Sequence, residues 1–284
     1  MTNQNKVTNA SSDREIILLW LGGKSKTTQI TYRSTIERFL EFIDKPLTEI
    51  MLEDLQLWER GLKARYKDKT IANKVLVIKS LFSFCVATGY LTLNVGSFIK
   101  PPKEKDSLAE RILDEESVRG LIKYGVKNDR DRLILLLMYA CGLRVSEVCG
   151  LTWNDLKSHN DGGKLTVFGK GSKTRMVIVP DWLWARLKEF EKFNRVNQWM
   201  FVSRNDNQMD RSVVHRMLKR ACKRAGVDER TSAHWLRHSH ASHSLDKGCN
   251  LRLLQQSLGH ASVTTTERYL HISPDAGSSQ FIDF

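Results

Sequence analysis

The chain has 284 residues, 41% of them hydrophobic and 27% charged, with a formal charge of +13 at neutral pH. That length suits two ordinary domains, each burying its own core, and the composition excludes collagen-like, low-complexity and strongly disordered classes. The basic excess runs through both halves, with 17 Lys+Arg against 11 Asp+Glu in residues 1–105 and 28 against 21 in the remainder, the pattern of a protein that covers a polyanion.

In chain order, residues 1–11 read as a flexible lead without the apolar region of a signal peptide. Four helical patterns follow, at Ile16–Leu21, Thr28–Ile43, Thr48–Leu62 and Thr70–Thr88. Apolar residues recur on one face of each, such as Val75, Ile78, Leu81, Phe82 and Cys85, and Gly89 stops the last. This predicts a small helical domain over residues 12–98. Lys100-Pro-Pro-Lys-Glu-Lys-Asp106 cannot continue a helix and marks a linker over 99–111. The second domain, 112–284, opens with helices near 115–124 and 130–141, broken by Gly142. Two β-branched runs, Lys164–Phe168 and Arg175–Val179, are joined by a hairpin loop, Gly169–Thr174. Helices are expected near 181–195, 210–225, 232–246, 250–257 and 262–269, with Thr264 and Glu267 as a capping box for the last. The fold class is therefore mainly α with a small antiparallel sheet.

No apolar run approaches the ~20 residues needed to span a bilayer. The five cysteines are scattered and form no Cys-x-x-Cys pair, which reads as reduced thiols in the cytoplasm.

Chemistry concentrates in the second half. His234 and Arg237 lie three apart on one helix and leave the same face. Arg144 follows the Gly142 break and would supply a second guanidinium from another wall. Two such forks can neutralise a phosphate with no metal. Singly, each arginine reads as a partner of a carboxylate such as Glu147 or Asp246 before it reads as a catalytic group. His234, Arg237, His260 and Tyr269 suit a phosphodiester site in which the phenol attacks. Lys170, on the Gly-flanked hairpin, could protonate a leaving oxygen, with Lys173 as the competing candidate. Lys170, Lys173 and Arg175 read equally as a solvated loop touching DNA phosphates. The histidines 234, 238, 240, 243, 260 and 271 do not have zinc-site spacing, and Gly169-Lys-Gly-Ser-Lys-Thr departs from the nucleotide-binding loop. No cofactor or metal is expected.

Taken in order, these segments resemble the tyrosine recombinase, or phage integrase, family in its bacterial Xer-like form. Gly142-Leu-Arg-Val-Ser-Glu carries the first arginine, Gly169-Lys-Gly-Ser-Lys-Thr-Arg the hairpin lysine, His234-Trp-Leu-Arg-His the His-x-x-Arg box, and Leu258-Gly-His to Tyr269 the last box. The resemblance implies a SAM-like core-binding domain and a catalytic domain that together form a C-shaped clamp on double-stranded DNA. It implies that Tyr269 forms a 3′-phosphotyrosine, that Arg144, Arg237 and His260 stabilise the phosphorane, that His234 accepts the phenol proton, and that Lys170 protonates the 5′-oxygen. Glu147 would orient Arg144 or a neighbouring base. It further implies four protomers on two specific recombination sites, a Holliday junction intermediate, no ATP, and accessory DNA-bending proteins as optional partners. The tail after Tyr269 is short, and Phe281, Ile282 and Phe284 are its candidates for a contact with the next protomer. Two competing readings are a type IB topoisomerase-like strand transferase and a non-catalytic DNA-binding protein.

Overall fold

A computed structural model describes residues 7–103, 107–160, 162–169 and 174–270. It divides the chain into two compact units, residues 1–105 and 106–284.

The first unit is built from α1 (Asp13–Gly22), α2 (Lys26–Ile43), α3 (Leu52–Lys63) and α4 (Asp68–Ala87). Ser12 and Ser25 cap α1 and α2 by accepting backbone N–H bonds from Glu15 and Thr28. Phe39 sits at the centre, edge-on to Trp58 at 5.0 Å and to Phe82 at 6.5 Å between ring centroids. Among the described residues α4 is the one helix with the length and apolar composition to cross a bilayer. Here it is a core helix, packed on α1, α2 and α3. The helix expected from Thr48 begins later. Leu47–Glu49 form a short 3₁₀ turn, and the Asp54 carboxylate accepts the Met51 N–H at 3.0 Å, which starts α3 at Leu52. Lys79 Nζ donates to the carbonyls of Gly96, Ser97 and Ile99, fixing the end of the unit. Ile99 and Leu108, both inside the expected linker, are buried, each in a cluster of its own unit.

The second unit contains α5 (Glu115–Tyr124), α6 (Asp129–Ala140), α7 (Val145–Cys149), β1 (Leu156–His159), β2 (Gly162–Phe168), β3 (Thr174–Val179), α8 (Asp181–Asn194), α9 (Arg211–Ala225), α10 (Ala233–Asp246), α11 (Leu251–Leu258) and α12 (Thr264–Glu267). Residues Leu133–Met138 of α6 are all buried, so this helix is apolar all round and lies in the core, in contact with α5, α7, α8 and α10. The three strands form an antiparallel sheet in the order β1-β2-β3. Leu165 pairs with Val177 and Val167 with Arg175, so Arg175, Val177 and Val179 share the inward face while Met176 and Ile178 face outward. Strand β1 and helix α7 were not anticipated. Helix α12 covers four residues rather than the expected 262–269, and the Thr264–Glu267 capping box does not form, because Val263 is the N-cap and no side chain closes it.

Candidate active site

Gly142 ends the chain's run out of α6 with φ +61°, and a Cβ there would lie 2.6 Å from His240 Cδ2 and 2.8 Å from Leu258 Cδ2. Only glycine combines that backbone with that closeness. The Gly142 carbonyl then accepts Arg237 Nη1 at 2.5 Å, and the Leu258 carbonyl accepts Arg237 Nη2 at 2.6 Å. Arg144 Nη1 also donates to Leu258 O, and Nη2 to Gly259 O, both at 3.4 Å. Arg175 Nε donates to Ser257 O at 2.7 Å. Three guanidinium groups from α10, the start of α7 and β3 therefore meet at the C-terminal turn of α11. Carbonyls there have no intrahelical partners and carry the negative end of the helix dipole, so they attract and orient cations.

Glu147 is the counter-charge. Its Oε2 accepts the Arg144 backbone N–H at 2.8 Å, and its Oε1 accepts Arg144 Nη1 at 2.9 Å. Both oxygens accept Arg175, each at 2.8 Å, and Arg237 Nη1 stands 4.0 Å away. Burial alone would raise this carboxyl, but hydrogen bonds from Arg175 and from the Arg144 backbone outweigh it and hold it at about 2. The carboxylate pairing considered for Arg144 and Arg237 thus exists, as part of one network. Arg237 is itself buried, and burial together with Arg144 lowers its guanidinium to about 9, which leaves it charged at neutral pH.

A cleft of about 660 Å³ opens beside this network, lined by Arg144, Gly169, Arg175, Gly259, His260 and Thr265 among others. His260 Nδ1 meets Thr266 Oγ1 at 2.9 Å, and Gln255 Nε2 donates to the His260 carbonyl at 3.1 Å. Burial, then Arg237 and Arg144, bring the His260 imidazole down to about 4, so it is neutral at pH 7. His234 is exposed, and burial of part of its ring with the pull of Arg237 and Arg144 lowers it too.

Tyr269 does not line the cleft. Its ring is 3% exposed and packs in an apolar cluster with Leu108, Ala241, Leu254 and Leu258. Its hydroxyl is hydrogen-bonded to His238 Nδ1 at 2.7 Å, not to His234 one turn earlier on α10. Burial raises the phenol, against the opposing pull of Arg237 and Arg268. His238, lowered to about 4 by burial and then by His234, is a neutral partner for it.

The structure therefore gathers Arg144, Arg237 and His260 around one turn of α11 and holds Tyr269 nearby, against His238 of α10 and Leu258 of α11. Lys170 and its competitor Lys173 lie outside the described residues, as do residues 271–284 of the tail. Sequence reasoning missed Arg175 as a member of the network. The sequence offers only a partial signal, that Arg175 shares a strand face with Val177 and Val179, since Met176 and Ile178 make the opposite face as apolar. Among the described residues no group of three or more His, Cys, Asp or Glu is placed to hold a metal ion.

Comparison with known proteins was made on both sequence and fold. A family model described as the phage integrase family matches residues 111–275, and one described as the phage integrase N-terminal SAM-like domain matches residues 17–89. A tyrosine recombinase of Pseudothermotoga lettingae is 31% identical over 87% of this chain and 88% of its own length. The tyrosine recombinase XerC of Corynebacterium efficiens is 32% identical over 95% of this chain and 89% of its own length. Among solved structures, a lambda integrase tetramer bound to a Holliday junction superposes with a TM-score of 0.72 at 19% identity, covering 90% of this chain and 79% of that one.

Proposed function

Because the chain belongs to the phage integrase family and is a tyrosine-type, site-specific DNA recombinase, we propose that the network around Leu258 is its phosphate site and Tyr269 its nucleophile. The observation that carries this reading is the Leu258 carbonyl shared by Arg144 and Arg237, 3.4 and 2.6 Å away. It brings together two guanidinium groups that lie far apart in sequence. Donors already aimed at one oxygen can be aimed at a phosphate without reorganisation at the moment of reaction.

In the cleavage step the Tyr269 Oη–phosphorus bond forms as the bond from phosphorus to the 5′-oxygen breaks. The phenol proton passes to an imidazole, and a proton is supplied to the 5′-oxygen, a role we assign to Lys170. Arg144, Arg237 and the neutral His260 hold the non-bridging oxygens through the pentavalent state. The products are a 3′-phosphotyrosine and a free 5′-hydroxyl. Attack by the 5′-hydroxyl of a partner strand reverses each step, so the bond is conserved and no nucleotide is spent. Repetition on the second pair of strands passes through and resolves a Holliday junction. The hydrogen bond at His238 means that the phenol must first exchange that partner for the phosphate. His234, its ring centroid 6.4 Å from that of His238 on the same helix face, is our choice as proton acceptor afterwards.

The enzyme acts on double-stranded DNA together with other protomers. We assign it four protomers per synapse, a specific recombination site, and action on the nucleoid in the bacterial cytoplasm, with DNA-bending proteins as optional helpers. The test is a nicked suicide substrate, which loses a short fragment on cleavage and traps the adduct. With EDTA present, wild-type protein is expected to form a covalent protein–DNA adduct and Tyr269→Phe none. An adduct from the variant moves the nucleophile elsewhere. A requirement for divalent metal overturns the phosphate site described here.

A further inference from the structure

Of the three guanidinium groups at the end of α11, Arg175 is the most completely bonded. Nε is held by Ser257 O, and the two terminal nitrogens take one oxygen each of Glu147. This is an end-on, two-nitrogen fork that a lysine cannot reproduce. Its side chain is 12% exposed and the carboxylate 3%. Gly259, at φ +65°, leaves room for the Arg175 stem, since a Cβ there would stand 3.0 Å from Arg175 Cδ. Arg144 is different. Its side chain is 31% exposed, and beyond two long contacts to carbonyls its hold is Glu147.

We infer that Arg175 is a positioning residue for strand cleavage: by clamping both oxygens of Glu147 it fixes the carboxylate that in turn sets the angle and depth of Arg144 in the phosphate cleft. An Arg–Glu pair between two freely moving side chains is loosely held and contributes little. Arg144 escapes that fate because its partner is immobilised from the opposite side. With Arg175 removed, the buried carboxylate would keep Arg144 and Arg237 as its nearest cations and draw them inward, away from substrate. The inference rests on the reading of Arg144 as a phosphate ligand.

The test compares Arg175→Lys, Arg175→Ala, Glu147→Gln and the doubles Arg175→Lys/Glu147→Gln and Arg175→Ala/Glu147→Gln on the suicide substrate. DNA affinity is measured separately from the single-turnover rate at saturating DNA. For Arg175→Lys we expect a rate lower by roughly 30-fold, the scale set by a misplaced catalytic group, with affinity changed by less than about threefold. An acid limb should also enter its pH–rate profile. Losing the fork lets the Glu147 carboxyl rise, so it protonates as pH falls and Arg144 loses its anchor. The charged groups facing Glu147 are the arginines Arg144, Arg175 and Arg237. The limb must therefore vanish in Arg175→Lys/Glu147→Gln. An added limb, absent from wild type, that persists in this double variant does not come from Glu147 and overturns the inference. So does an Arg175→Lys rate equal to wild type, or a loss seen only as weaker DNA affinity, which would make Arg175 a direct DNA ligand. If the single variants are too unstable for kinetics, thermal melts decide. Arg175→Ala/Glu147→Gln should melt above Arg175→Ala because the buried charge deprived of its Arg175 fork is gone, and equal melting overturns the clamp. If wild type forms no adduct, the functional reading fails, and the melts still test the clamp.

Discussion

The clustered cations and the tyrosine proposed as nucleophile are held by opposite means. Arg237 sits on the 14-residue α10, is buried, and donates to two backbone carbonyls, while Glu147 is bonded to two arginines at once. Tyr269 follows the four-residue α12 near the end of the described chain, and a single side-chain hydrogen bond, to His238, fixes its hydroxyl. The first arrangement is preorganised, with charges locked by backbone and packing. The second is releasable, since one hydrogen bond contributes about 1 kcal/mol net and α12 is too short to be stable on its own. An enzyme that cuts DNA profits from this division. On the proposed assignment, the phosphate site can be permanently set while the Tyr269 phenol stays buried in DNA-free protein.

Changes on the rigid side should have the largest effects. Arg237→Ala removes a buried donor pair, leaving Gly142 O without it and Leu258 O with only the long Arg144 contact, and adduct formation should fall by about a thousandfold or more. Arg237→Lys should recover little, since one ammonium lacks the planar fork that sets two separate nitrogens on Gly142 O and Leu258 O. A Lys variant within tenfold of wild type would break the rigid half of the comparison. Gly142→Ala comes next. The positive φ and the clash with His240 should lower stability by about 2 kcal/mol and displace the carbonyl that aims Arg237, slowing cleavage by roughly tenfold or more, as thermal melts and single-turnover rates would show.

Acid should act on the same side. The Glu147 carboxyl is held at about 2 against a usual 4.5. A depressed carboxyl stabilises the fold above its unfolded value, and that contribution, at most about 3 kcal/mol, is lost as pH falls from about 4.5 towards 2. Melting curves of wild type should therefore converge on those of Glu147→Gln across that window, and parallel curves would show that the network stores no such stability. The smallest effect belongs to the releasable side. His238→Ala should expose the Tyr269 phenol, raising its nitration by tetranitromethane a few-fold in DNA-free protein, as mapped by mass spectrometry, while His238→Asn, which keeps a polar atom near the Nδ1 position, stays close to wild type. Unchanged nitration would show that packing, not the hydrogen bond, holds the phenol.

Much of this was legible in the chain. Helical periodicity marked the larger helices, and two β-branched runs flanking the Gly169–Thr174 loop marked the hairpin. The Gly-Leu-Arg, His-x-x-Arg and Leu-Gly-His boxes singled out the residues that meet at α11. What escaped has physical reasons. Strand β1, Leu-Lys-Ser-His, has no apolar alternation and exists because β2 pairs with it. Helix α7 is a five-residue turn started by the reach of Glu147 back to the Arg144 N–H, a tertiary anchor as much as a local one. Arg175 was obscured because β3 is apolar on both faces, with Met176 and Ile178 exposed beside buried Val177 and Val179, so the pattern did not reveal which side was inward. The partner of Tyr269 was out of reach as well. His234 and His238 lie on one face, and which of them the phenol meets depends on how the chain returns after α11, a matter of three-dimensional path and not of spacing.

The shared acceptor at Leu258 has one more consequence. Side chains from three distant segments are gauged against main-chain oxygens at 257, 258 and 259, so what selection must preserve there is register more than chemistry. Ser257 could be exchanged for many residues without disturbing the oxygen that Arg175 reads. A single residue inserted or deleted in that turn would put all three arginines out of step together.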